Sequence, residues 1–305
     1  MLLTLRANAA KHGAMNPDGR WLPRLCAIPL AGPPLARAAA WLAQSPLSRI
    51  LAPVARMERL TLAVVAVVAC AIYLFALVAG EVLEGDANRL DRTILLALRN
   101  PQDLGDPLGP AWFEEVMRDF TALGGTAVLT LVTLAVIAYL LLVRRRGTAF
   151  LVAASVVGAT VLASLLKWGF GRPRPDLVPH GVAVYSQSFP SSHAMLSAAI
   201  YLTLGALLAR SQERVRVKVF LLGVAVFVTV LVGVSRIYLG VHWPTDVLAG
   251  WAGGAGWAAA SWLIMLWLQR RGEVESEAGG GKGAPPPGSP AVDGPDRTAT
   301  SESNK

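Results

Sequence analysis

Six stretches of this chain are apolar for about the length that crosses a bilayer, and that feature constrains the fold more than any other. They run from Leu60 to Gly80, Thr126 to Val143, Thr148 to Leu166, His193 to Ala209, Val219 to Val234 and Val247 to Leu268. A spanning helix needs about 20 mostly apolar residues. Inside hydrocarbon every backbone N–H and C=O must be paired within the segment, which selects helices. The expected fold class is therefore all-α, a polytopic membrane bundle of about six transmembrane helices. The fourth stretch is the shortest, with polar residues crowding its start. All six are apolar around their circumference, as lipid-exposed helices tend to be. The run Gly250-Trp251-Ala252-Gly253-Gly254-Ala255-Gly256 is small enough for close helix packing.

The formal charge is +8, which invites a nucleic-acid partner, but the positions of the charges exclude that reading. They fall in short groups between the apolar runs: Arg56 and Arg59, then Arg144 to Arg146, then Arg210, Arg214, Arg216 and Lys218, then Arg270 and Arg271. With six spans all four groups lie on one side, so the positive-inside trend puts them and both termini in the cytoplasm. Only 16% of residues are charged, against roughly 25% in soluble domains, and no stretch remains for a second globular domain. The expected organisation is a basic cytoplasmic leader over 1–59, a membrane domain over 60–271 with an outer segment at 81–125, and a disordered tail over 272–305. The leader lacks the short apolar core and cleavage site of a signal peptide. The tail is rich in Gly, Pro and Ser. The outer segment reads as one or two helices along the interface, with Asp91 and Arg92 on a solvated face. Cys26 and Cys70 sit in unlike surroundings, so neither a disulfide nor a zinc pair is expected.

Three polar clusters interrupt the apolar pattern, and in a six-span topology all three reach the outer face. The first is Lys167-Trp168-Gly169-Phe170-Gly171-Arg172-Pro173-Arg174-Pro175. The second is Phe189-Pro190-Ser191-Ser192-His193, and the third runs from Ser235 and Arg236 through His242 to Asp246. Cations on this face run against the positive-inside trend, and gathering an anion is the simplest reason for them. The arginine fork grips phosphate oxygens bidentately and lysine adds a point charge. Gly169, Gly171, Pro173 and Pro175 predict a loop carrying Arg172 and Arg174. Pro190 and the serines predict a helix N-terminus beside His193, where free N–H groups favour an anion. Pro244 predicts the start of the last helix, with Asp246 in its first turn and able to orient His242.

The clusters read K-x6-R-P, P-S-x-H and S-R-x5-H-x3-D, ten specified positions in order with spans between them. They resemble the signature of the type 2 phosphatidic acid phosphatase superfamily, over about Leu60 to Leu268. The resemblance implies His193 as the nucleophile that forms a phosphohistidine. It makes Lys167, Arg174 and Arg236 the phosphate ligands, assisted by Ser191 and the following amide. It makes His242 the acid and then the base, and Asp246 its orienting partner. The family has Gly before the nucleophilic histidine where this chain has Ser192. Arg172 stands outside the signature, as an additional substrate contact.

These expectations add up to an integral membrane phosphatase with no cofactor and no metal, whose partners are the bilayer and a lipid phosphate or diphosphate. Undecaprenyl diphosphate is the first choice; phosphatidylglycerophosphate, phosphatidic acid and lipid phosphotransfer are the nearby alternatives. An anion-binding transporter is the alternative from another class, although broken helices and repeat symmetry are missing from the sequence pattern. A metal held by His193, His242 and Asp246 is a third, disfavoured by the surrounding cations. His180 reads as an ordinary loop residue, and Trp112, Trp243 and Trp251 as interfacial aromatics.

Overall fold

The structure is a computed structural model that describes residues 58–85, 87–182 and 186–275. Its order is α1 (Arg59–Glu84), α2 (Ala87–Leu96), a short antiparallel hairpin β1 (Arg99–Asn100) and β2 (Asp103–Pro107), and α3 (Ala111–Ala122). Then come α4 (Thr126–Leu142), α5 (Arg146–Phe170), α6 (Ser192–Arg210), α7 (Val215–Tyr238) and α8 (Pro244–Arg270). Helices α1, α5, α6, α7 and α8 are each long and apolar enough to cross a membrane, while α4 reaches that length only together with α3, bent by 45° from it. The six apolar stretches thus all became helices. The second forms α4, preceded across a 45° bend by α3. The outer segment, expected to hold one or two helices, has α2, α3 and a hairpin that the sequence pattern did not announce.

Helix α6 is central. Half of its apolar window is buried, against 17% for α1, and it packs on both α7 and α8, with α8 in turn packed on α1. Small residues make the α6–α8 crossing close. A Cβ at Gly250 would stand 2.8 Å from the carbonyl oxygen of Ser191, and one at Gly254 would collide with that of Met195. In lipid no hydrophobic drive pulls helices together, so such close approach supplies the van der Waals contact that does. Leu131, Phe150, Val157, Phe220 and Phe227 remain exposed around the bundle, the surface that a hydrocarbon solvent requires.

The two ends of the bundle are defined by their contacts. At one end Arg270 Nη2 donates to Thr61 Oγ1 (3.4 Å), and the Glu275 carboxylate accepts the N–H groups of Gly147 (2.9 Å) and Thr148 (3.2 Å) at the start of α5. Glu275 therefore caps the start of α5 from beyond the end of α8. The rest of the tail and the leader up to 57 lie outside the described residues. The other end carries the three polar clusters.

Trp243 and Trp251 correct the interfacial reading. The indole N–H of Trp243 donates to Pro173 O (3.2 Å) and that of Trp251 to Thr229 O (3.0 Å), so both tie chain segments together inside the bundle. Trp112 is 66% exposed, consistent with a surface aromatic.

Candidate active site

Helix α5 runs on through Lys167 and Gly169, which corrects the loop expected over that part of the first cluster. Gly171 ends it with φ +60, and its N–H returns to Lys167 O at 3.1 Å. A left-handed residue at this position is the common glycine stop of a helix. Lys167 therefore projects from a helical last turn, and the extended chain beyond the stop carries Arg172 and Arg174. Two backbone hydrogen bonds then join the three clusters. Ser188 N donates to Arg172 O (2.9 Å), tying the second cluster to the first, and Ser191 N donates to Asp246 O (3.0 Å), tying it to the third.

Ser191 is the N-cap of α6, with its hydroxyl accepting the N–H of Ala194 at 3.4 Å. That side chain is wholly buried. Its amide and one hydroxyl lone pair are thus engaged by the fold, while the O–H can still donate. Ser192 and His193 occupy the first turn, where N–H groups precede any intrahelical acceptor. Both are half-buried. Lys167, Arg174 and Arg236 act electrostatically on His193, as does His242, so the structure brings together three cations that the sequence spreads from position 167 to position 236.

Each cation is held differently. Lys167 Nζ donates to Gln187 O (2.5 Å). Arg174 donates from Nε to Ser186 O (2.7 Å) and from Nη1 to Val241 O (2.7 Å); burial and the loss of hydration push its pKa below the usual value. Arg236 is 3% exposed, donates from Nη1 to Thr121 Oγ1 (3.0 Å), and has no partner for its buried Nε among the described residues. A buried guanidinium with a donor unsatisfied is costly unless an anion completes it. Thr121, on α3, is a site neighbour for which the sequence carried no signal. Its helix reaches the site because Gly124 lies against the main chain of His193, where a Cβ would meet the carbonyl oxygen at 3.3 Å.

Asp246 sits in the first turn of α8, as Pro244 predicted, and its Oδ2 accepts the N–H of Trp243 at 2.9 Å. The same oxygen lies 3.4 Å from His242 Nδ1 and accepts from Ser188 Oγ, which is itself 3.3 Å from Nδ1. On the other side of the ring Arg174 Nη1 stands 3.3 Å from Nε2. Arginine can only donate, so Nε2 is assigned as the acceptor and Nδ1 as the bearer of the proton. Burial pushes the His242 pKa down to about 3, outweighing the Asp246 hydrogen bond and charge that favour the cation, with Arg236 and Arg174 lowering it further. The contact with Asp246 is therefore a hydrogen bond from neutral imidazole rather than an ion pair.

Arg172 corrects an expectation. Its guanidinium is taken up by protein groups, with Nη2 on Asp91 Oδ2 (2.7 Å) and Nη1 on Asp246 Oδ1 (2.6 Å) and Thr245 Oγ1 (2.8 Å), and the side chain is 8% exposed. Two carboxylates outcompete a substrate contact for it. Asp91 also departs from the solvated face expected of it: it is fully buried, while its neighbour Arg92 is exposed. His180 accepts the ordinary loop reading, with Nε2 2.8 Å from Pro175 O. The metal alternative does not fit the donors, since both oxygens of Asp246 already face Arg172, Trp243 and Ser188.

A cation cluster gathered around a helix N-terminus, at the end of a bundle built for lipid, is the equipment of a membrane lipid phosphatase. Known proteins give the same class. The family model described as the PAP2 superfamily matches residues 148–270. Phosphatidylglycerophosphatase B of Bacillus subtilis is 34% identical over 148 residues, which span 47% of this chain and 70% of that relative. An undecaprenyl-diphosphatase of Sulfolobus acidocaldarius is 35% identical over 113 residues, less than half of its own length (46%) and 37% of this chain. Among solved structures, the transmembrane PAP2-type phosphatidylglycerolphosphate phosphatase from Bacillus subtilis aligns over 68% of this chain and 98% of its own, with a TM-score of 0.56 and 26% identity. The chain belongs to the PAP2 superfamily, and it is a multi-pass membrane protein.

Proposed function

We propose that the protein removes the terminal phosphate of a membrane lipid through a phosphohistidine on His193, with the site on the extracytoplasmic side. The observation that carries this reading is the buried Arg236, whose Nε lacks a partner among the described residues while Lys167 and Arg174 act on the same histidine. Phosphoryl transfer asks mainly for in-line positioning and neutralisation of the equatorial oxygens, and these three cations with the first-turn amides of α6 supply both.

In the first step a ring nitrogen of His193 attacks phosphorus, the bond to the leaving oxygen breaks, and that oxygen takes a proton from His242. Burial and the neighbouring arginines hold His242 neutral; a bound phosphate offsets the charges of Arg174 and Arg236 and restores its affinity for a proton. In the second step His242 Nε2 accepts a proton from water, the water oxygen attacks phosphorus, the P–N bond breaks and inorganic phosphate leaves. Asp246 holds the ring with Nε2 toward the site.

For the substrate, the relative matched over most of its length favours phosphatidylglycerophosphate. Undecaprenyl diphosphate is the second reading, supported by the shorter match. The arginine-rich end of the bundle favours a cytoplasmic position for that end, which places the site opposite. Phosphate release by the purified protein, with a chelator present, across phosphatidylglycerophosphate, undecaprenyl diphosphate and phosphatidic acid tests the reading. The highest kcat/KM is expected for the first; absence of release from all three would sink the proposed activity.

A further inference from the structure

We propose that Asp91 and Arg172 are positioning residues for the reaction, holding and charge-balancing the Asp246 carboxylate behind His242, so that the segment before α3 is a working part of the site. The inference rests on the assignment of His242 as proton donor and base. Neither residue is among the ten signature positions, and Asp91 lies ahead of the residues matched by the family model.

The geometry is a continuous buried chain. Asp91 Oδ1 accepts the Thr245 N–H (2.9 Å), and its Oδ2 accepts from Thr245 Oγ1 (2.6 Å) and from Arg172 Nη2 (2.7 Å). Arg172 Nη1 reaches Asp246 Oδ1 (2.6 Å), which leaves Oδ2 of the same carboxylate for Trp243 N, Ser188 and His242. Asp91 and Asp246 are both fully buried. Tying the Arg172 segment to α8 needs only one carboxylate, that of Asp246. The second has an electrostatic consequence. An arginine paired with Asp246 alone would cancel the charge that favours a proton on His242, whereas one shared with Asp91 leaves Asp246 a net pull on that proton. The other groups that face His242 are Arg174 from the segment after α5, Arg236 on α7, His193 on α6 and the hydroxyl of Ser188, with Lys167 on α5 acting on Asp246. None of these groups is anionic, so the Asp91–Arg172–Asp246 set supplies the negative charge on this side of the ring.

The test is the pH dependence of kcat, measured on the full-length protein in detergent with phosphatidic acid in mixed micelles. Activity that requires protonated His242 falls as pH rises through its pKa in the complex. Asp91→Asn leaves the Arg172 charge unshared and should move that falling limb to lower pH by about one unit, lowering kcat on the alkaline side about tenfold with KM unchanged. The double variant Asp91→Asn with Arg172→Gln removes one charge of each sign, and its limb should return toward the parent position. A merely structural strap predicts the opposite pattern: lower thermal stability in each variant, a loss in the double one smaller than the sum because both singles break the same pair, and the limb unmoved. That pattern overturns the inference. Should Asp91→Asn not fold, Asp91→Glu keeps the charge but displaces it; a smaller shift in the same direction supports the inference and an unmoved limb overturns it. His242→Ala separates the two levels. If it leaves the limb in place, the His242 assignment itself fails; if it removes the limb while Asp91→Asn does not move it, only the present inference fails.

Discussion

At one end of the bundle the exposed Arg271 lies over the ring of Trp267, and the exposed Arg270 reaches Thr61. At the other end Arg172 is buried between Asp91 and Asp246, Arg174 is fixed between Ser186 O and Val241 O, and Arg236 is buried with a donor unsatisfied. The residue type is the same, and the surroundings are not. The first set rests on aromatic rings and helix ends, where a cation can stay hydrated and anchor topology. The second set is desolvated, and a desolvated cation needs an anion from the protein or from a ligand. The two ends teach that burial and partners, rather than arginine content, separate an exposed arginine from one poised for an anion.

Substitution is the most direct way to break that comparison. The largest effect should come from His193→Ala, which removes the group proposed to accept the phosphoryl. Turnover should vanish, and labelled substrate quenched without acid should leave no phosphohistidine; a variant that still becomes labelled would place the nucleophile elsewhere. Arg236→Ala comes next, with kcat lowered about 10²–10³-fold, as for removal of one preorganised donor to a developing charge. Steady-state kinetics in detergent reads it, and parent-like turnover would mean that the unsatisfied donor faces no substrate. Arg172→Ala acts on folding. It leaves two buried carboxylates uncompensated, a loss worth about 3–5 kcal/mol for a broken buried ion pair, visible as a large fall in the thermal midpoint. At the opposite end, Arg144→Ala should leave both turnover and thermal midpoint close to the parent. Equal damage from Arg144→Ala and Arg236→Ala would erase the distinction between the ends.

The pH dependence of stability sharpens the same contrast by a smaller effect. His242 is neutral when folded, with a pKa of about 3, and titrates near 6.5 when unfolded. The unfolded chain therefore binds the extra proton between those values, so this histidine's contribution is present above about pH 6.5 and is lost as pH falls toward 3. The thermal midpoint of the parent should decline over that window, and His242→Gln should flatten the decline. An unchanged slope in the variant would show that His242 is not the titrating group.

Much of this was legible in the chain. The six spans could be read because hydrocarbon admits only self-paired helices, so about 20 consecutive apolar residues carry their own structural instruction. The grouping of Lys167, Arg174, His193, Arg236 and His242 at one end followed from counting spans, and Asp246 beside His242 followed from Pro244 opening a helix. Such features are local or depend only on parity. What tertiary structure decided is which polar side chains face the site. Arg172 and Arg174 are two residues apart and alike in sequence, yet only the fold supplies Asp91 and Asp246, 81 and 74 positions distant, to turn Arg172 inward. Thr121 enters the site by the same kind of long-range packing, on a helix that carries no motif, and Ser188 enters from the position just before the second cluster. Hydrophobicity is additive along a chain and can be read from it. Pairing of buried charges depends on which distant partner the packing delivers, and that is settled only when the helices meet.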